Sequence, residues 1–159
     1  MRVHCFLLIA GAAALHGQDL KWARENIDAH ATMRHFEPPA RSSGTRWQVG
    51  RIEGCSIELK QISHREAPDS VEDKTVTWAF DMGSLKSRYV MADTSTGLPH
   101  IKIFAEGDVF HLKTETATWS TSGNARNLWM YFDSPDVDNK VLVRRLEGEL
   151  RRAIEHCRK

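Results

Sequence analysis

The alternation of apolar and polar positions divides the chain into a strand-rich middle and a long final helix. In CSIELKQI, Cys55, Ile57 and Leu59 fall on one face while Ser56, Glu58 and Lys60 fall on the other. That period of two marks a half-buried strand. TRWQVGRI (45–52) predicts a strand before it, with Gly54 at a turn or bulge between them. TVTWAFD, in which Val76, Trp78 and Phe80 alternate with polar or small residues, and SRYVM (87–91) predict two more. The polar runs SHREAPDSVEDK and ADTSTGLP read as loops. HIKIFAEGDVFHLK predicts a hairpin turning at Glu106-Gly107, with Ile103 against Phe110, Ile101 against Leu112, and Lys102 and His111 on the opposite face. A stretch rich in Ser, Thr, Gly and Asn reads as the loop into NLWMYFD, a last strand with Leu128, Met130 and Phe132 on one side.

The period then changes. Residues 134–159 carry Leu142, Val143, Leu146, Leu150, Ala153, Ile154 and Cys157 within an arc of roughly 120° at helical spacing. Ser134 is the expected N-cap with Pro135 at the first helical position, and Asp136 and Asp138 suit the positive end of the helix dipole. Upstream, residues 19–35 predict a weaker helix on Leu20, Ala23, Ile27 and Ala31, stopped by Pro38-Pro39. Residues 40–45, small and polar, read as a linker.

The opening MRVHCFLLIAGAAALHGQDL changes the picture, because it has the three parts of a secretory leader. Arg2 supplies the positive start, residues 5–15 the apolar run, and small residues a cleavage point expected after Gly17 or Ala14. The apolar run is too short to span a bilayer. A buried N-terminal helix and a retained signal anchor are the alternatives. The expected organisation is a signal peptide over 1–17, a helix and linker over 18–44, and one α+β domain over 45–159.

Cleavage would remove Arg2 and Cys5, leaving 21 basic against 21 acidic residues and two cysteines, Cys55 and Cys157. A neutral chain argues against nucleic acid as a partner, since such binding rests on a basic surface. Two cysteines bound for an oxidising compartment predict one bridge. Cys157 falls on the helix stripe and Cys55 on a strand's apolar face, so the bridge would pin the last helix to the sheet.

About seven antiparallel strands and a final amphipathic helix predict an α+β domain: a bent sheet or open barrel capped by that helix. The order resembles the pleckstrin-homology-like fold. More narrowly, IEGCSIEL, the middle strands, and NLWMYFDSP followed by RRLEGELRRAIEHC resemble uncharacterised exported bacterial domains. Those place one cysteine in an early strand and another at the end of the last helix. A helix-grip fold is the alternative, since it too closes a sheet with a long final helix.

No catalytic constellation assembles in the sequence. G-x-S-x-G, S-x-x-K and C-x-x-C are all missing. His156 and Cys157 point about 100° apart on a helix, at the end where a thiolate is disfavoured. His64-Arg65-Glu66 lacks the P-C-x-x-C of a zinc deaminase. His111 with Glu115, or His100 with His111, would give a metal two ligands at most, and Asp69, Glu72 and Asp73 lack calcium-loop spacing. No phosphate cradle appears, so no cofactor and no metal is expected. Lys140, Arg144, Arg151 and Arg158 form a basic stripe on the helix, read as a solvated face.

Trp22, Trp47, Trp119 and Trp129 cannot all be placed inside by pattern. Exposed aromatic area is therefore the strongest functional signal. The expectation is a non-catalytic exported module binding an unknown protein or surface, with Trp119 and Trp129 as its surface. The alternative is a small-molecule or lipid binder using the interior beneath the helix, which needs an apolar cavity of about 300 Å3 or more.

Overall fold

The computed structural model describes residues 12–35 and 42–159. It is an α+β protein of nine described strands in two antiparallel sheets with a helix at the C-terminus. Helix α1 (Ala12–His30) precedes strands β1 (Thr32–His35), β2 (Ser42–Glu53), β3 (Ser56–Ala67) and β4 (Ser70–Asp81). Two short 3-10 turns, Met82–Ser84 and Ser87–Tyr89, lead into β5 (Val90–Asp93). Strands β6 (His100–Phe104), β7 (Phe110–Thr116), β8 (Ser120–Ala125) and β9 (Asn127–Tyr131) follow, then helix α2 (Asn139–Cys157). The larger sheet runs β1-β2-β3-β4-β7-β8 and the smaller β5-β6-β9, and they do not close into a barrel.

The hydrophobic stripe of α2 is the keystone of the core. Leu142, Val143, Leu146, Leu150, Ala153 and Ile154 are all buried. They share one core with the inner face of the small sheet (Val90, Ile101, Ile103, Leu128, Met130) and with a chain of rings on the large one. In that chain Trp47 lies 5.7 Å from Trp78, Trp78 6.1 Å from Phe110, and Phe80 5.0 Å from Phe110. The last two contacts are edge-on, the arrangement aromatic quadrupoles favour.

Helix α1 adds Leu20, Ala23, Ile27 and the following Ala31 to this core. Asp28 accepts a hydrogen bond from the Val49 amide at 2.6 Å, and the Arg145 guanidinium sits 4.0 Å from the Trp22 ring centre. The helix passes unbroken through Gly17, where the leader was expected to end. Residues 1–11 of that leader, and Pro38-Pro39, lie outside the described residues. The helix ends at His30 and gives way to β1, so the segment 19–35 is helix and then strand.

Several expectations are corrected. The run 63–74 is not a loop: β3 and β4 continue through it, in register from Ser63↔Lys74 to Ala67↔Ser70. Neither face packs on a core there, so hydrophobic alternation is lost while backbone pairing persists. His64 and Asp73, directly opposite each other, bond at 2.7 Å. The Ser/Thr/Gly/Asn stretch is likewise β8, paired to β7 from Glu115↔Ser120 to Phe110↔Ala125. The linker reading of 40–45 ends where β2 begins, at Ser42. Within 87–91, the first three residues form a 3-10 turn and the strand starts at Val90.

The hairpin expected over residues 100–113 does not form. β6 pairs with β5 and β9, while β7 pairs with β4 and β8, so each strand has both edges filled in a different sheet. The chain crosses between them through residues 105–109, where Gly107 takes φ 120°, a conformation open to glycine. Ile101, Ile103 and Phe110 are nevertheless buried, as their alternation requires.

The helix start is also corrected. Asp138, not Ser134, caps α2, accepting from the amides of Lys140 and Val141. Ser134 is buried and bonds His30 Nδ1 at 3.0 Å, fastening the end of α1 to the approach to α2.

Cys55 sits with Gly54 (φ 57°) in the two-residue turn between β2 and β3, one position before the strand expected to carry it. It forms a disulfide with Cys157 at a Cα separation of 5.7 Å. No described helix is long and apolar enough to cross a membrane.

Candidate binding surface

Alternation in the small sheet gives it two unlike faces. Ile101 and Ile103 of β6 point into the core with Leu128 and Met130 of β9. His100, Lys102 and Phe104 therefore point outward. The register places Asp93 and Tyr131 on either side of His100, and Met91 and Trp129 on either side of Lys102. Two cross-strand rows result, Asp93-His100-Tyr131 and Met91-Lys102-Trp129, with the Asp93–Lys102 ion pair running between them.

His100 is the floor of this face. It is only 4% exposed, with its ring centre 4.8 Å from that of Tyr131 and 5.9 Å from that of Trp129, which it stacks at 26°. Its Nδ1 lies 2.9 Å from the Leu98 carbonyl oxygen, which can only accept, so Nδ1 carries the proton. Nε2 has no hydrogen-bond partner and lies 3.8 Å from Asp93 Oδ2.

Asp93 itself is fully engaged. It accepts from Lys102 Nζ at 2.8 Å, from Ser95 Oγ at 2.7 Å and from the Ser95 amide at 3.1 Å. The Lys102 bond, with the Ser95 bonds behind it, holds the Asp93 carboxyl well below the usual carboxylate range. Lys102 Nζ also stands 5.2 Å from the Trp129 ring centre, within cation–π reach. The indole is thus held from two sides while 44% of the residue stays exposed, and Met91 across the sheet is 40% exposed. Arg144 of α2 braces the neighbouring loop by donating to Thr94 Oγ1 at 3.2 Å.

The remaining tryptophans find structural places. Trp47 is buried, Trp78 is half-buried with its Nε1 donating to Gln61 at 3.2 Å, and Trp22 lies under Arg145. Trp119 is 49% exposed at the turn joining β7 to β8, where Thr116 Oγ1 accepts from its amide at 3.2 Å. Trp119 and Trp129 therefore belong to different sheets.

The basic stripe is partly structural. Arg151 donates twice to the Val90 carbonyl, at 3.0 and 2.8 Å, and pairs with Glu147. His100 and His111 lie in different sheets, and His111 bonds Asn124 instead at 2.9 Å. Among the described residues no three His, Cys, Asp or Glu side chains converge as a metal site. Between α1, α2 and the sheets, an apolar void of about 30 Å3 is lined by residues such as Leu20, Ile57, Phe80 and Leu150. That is room for one or two waters, not for a ligand of ordinary size.

Sequence reasoning found Trp129 but missed His100, Asp93, Lys102 and Tyr131 as its setting. The available signal was the alternation around Ile101 and Ile103, which puts His100 and Lys102 together on the reverse face. Compared with family models, with curated proteins and with solved structures, the chain finds no match.

Proposed function

We propose that this chain is an exported, non-catalytic module that docks a protein or surface partner on the outer face of the small sheet, with Trp129 as its anchor. The observation that carries the reading is the fixing of an exposed indole by stacking on a buried histidine and by a lysine beside it. An aromatic side chain immobilised before its partner arrives loses little freedom on binding, which is what makes such residues dominate interfaces. The charge beside it is already neutralised within the face, Lys102 by Asp93, so affinity rests on aromatic and apolar area. A fold of pleckstrin-homology-like pattern is part of this proposal, supported by the final helix laid on two antiparallel sheets. Export is supported by the leader-like start and by a disulfide, a bond that persists in oxidising compartments. The interior reading loses its support with the small size of the void.

The test is a partner isolated from the exported fraction, purified and titrated against the chain at low and moderate salt. Trp129→Ala should weaken binding by about tenfold or more while leaving the thermal melt in place. Binding that falls steeply with salt and ignores Trp129→Ala would move the site to the basic stripe of α2.

A further inference from the structure

Strand β8 is an edge of the large sheet, paired to β7 on one side and to nothing on the other among the described residues. Its sequence, STSGNA, holds no charge and no proline, and all but its last residue are exposed. Proteins usually blunt such an edge with lysine, proline, brevity or a cover. Elsewhere this chain does so. The opposite edge, β1, is four residues long and carries Arg34, and the Val90 carbonyl of β5 is covered by Arg151. β8 has none of these devices; at the remaining edge, β9, the chain just past the strand is tied to β1 by the Asp133 amide donating to the Thr32 carbonyl at 2.9 Å.

Its backbone polarity follows from one bond. The Thr116 amide donates to the Trp119 carbonyl at 3.0 Å, so this pair is hydrogen-bonded. Antiparallel alternation then turns the backbones of Thr121, Gly123 and Ala125 toward β7 and those of Ser120, Ser122 and Asn124 outward.

We infer that β8 pairs with β8 of a second copy of this chain, antiparallel about a two-fold axis at Ser122. Of the registers with the required parity, this one alone pairs all three outward residues, Ser120, Ser122 and Asn124, within the strand. Ser120 meets the other copy's Asn124, and Thr121 meets its Gly123. Trp119, one step before the strand, comes opposite Ala125 with Gly123 on the diagonal, so a large exposed ring covers two small residues. Cross-strand neighbours at these spacings are in contact, and no like charges oppose each other along the pairing. The second copy is the occupant this edge fits because its own Trp119 is the large ring that meets the small Ala125 and Gly123, and an uncharged strand meets no repulsion from itself. A few strand hydrogen bonds and two indoles make an interface below the standard size, and the dimer is accordingly weak, with Kd from about micromolar to millimolar. This surface is separate from the Trp129 face.

The experiment is sedimentation of the full chain from about 1 µM to 1 mM, spanning that affinity range. Dimer should accumulate with concentration, and hydrogen exchange at the amides of Ser120, Ser122 and Asn124 should slow in step. Ser122→Pro removes an outward donor without costing a bond to β7, the edge position proline tolerates. It and Trp119→Ala should each weaken the dimer by about tenfold or more. Trp129→Ala should leave the dimer unchanged, which separates this result from the partner-binding one. If Ser122→Pro lowers the melt, Trp119→Ala and the exchange pattern still decide. A monomer at every concentration overturns the inference, as does a dimer indifferent to both substitutions. Slowed exchange along β8 only when another protein's extended segment is added also overturns it.

Discussion

Removing the Cys55–Cys157 bridge separates two ways in which it can stabilise the chain. The bond spans 102 residues, and cross-linking a loop of that length takes about 4.7 kcal/mol of entropy from the unfolded chain, the ceiling for its effect. In the folded state the two cysteines are held together by other contacts as well. The Met82 amide donates to the Cys55 carbonyl at 2.9 Å, and a Cβ added at Gly83 would lie 2.9 Å from the Cys157 carbonyl oxygen. The helix end and the β2–β3 turn thus both pack on the Met82–Ser84 turn, and the buried stripe from Leu142 to Ile154 holds the rest of α2. The fold should therefore survive in Cys55→Ala/Cys157→Ala, with the loss falling mainly on the unfolded side.

Urea unfolding followed by tryptophan fluorescence should show a loss of about 2–5 kcal/mol, together with a steeper dependence on urea. The slope rises because an uncrosslinked unfolded chain is less compact and exposes more surface. Free-thiol counting on the unreduced, denatured parent should find none at Cys55 or Cys157. A loss under about 1 kcal/mol would refute the entropic account, for which the loop is long enough to matter. Loss of α2 helicity ahead of the main transition would also refute it, since the bond would then be acting by holding the helix in place.

Two further outcomes follow from the cap and the ion pair. Asp138→Ala should cost about 1 kcal/mol in the same urea assay and fray the start of α2, whereas Ser134→Ala should leave the helix start intact and loosen its tie to His30. Because Lys102 and Ser95 lower the folded-state pKa of Asp93, the stability it adds is complete above the unfolded carboxyl value of about 4 and fades as pH falls below it. The melting-temperature gap between the parent and Asp93→Asn should therefore be widest near neutral pH and shrink in acid; a gap that widens in acid would contradict the ion-pair assignment.

The parts of this fold that burial dictates were legible in the sequence. The α2 stripe, the inward members of β3, β6 and β9, and Leu20, Ala23 and Ile27 of α1 all lie where hydrophobic period puts them. Strands held by backbone pairing alone were not. The outer halves of β3 and β4, and β8 up to Ala125, have no core on either face, so nothing in their side chains repeats with period two. The α2 start was illegible for a different reason. Ser134 and Asp138 are both good caps by residue type, and the contact that sets the serine apart comes from His30, 104 residues away.

The misread hairpin also explains why the setting of Trp129 escaped detection. Folding β6 onto β7 would place Lys102 beside His111 on a polar face with no other neighbour for either. Strand pairing is non-local, and a turn-forming Glu-Gly pair argues only for a change of direction, not for which strand comes next to which. Once β6 lies between β5 and β9, its outward residues acquire Asp93 on one side and Trp129 and Tyr131 on the other. His100 then becomes buried without leaving the outer face, because two rings cover it. The exposed indole is held in place by this crossing between sheets, so the feature that hid the face from pattern reading is also the one that builds it.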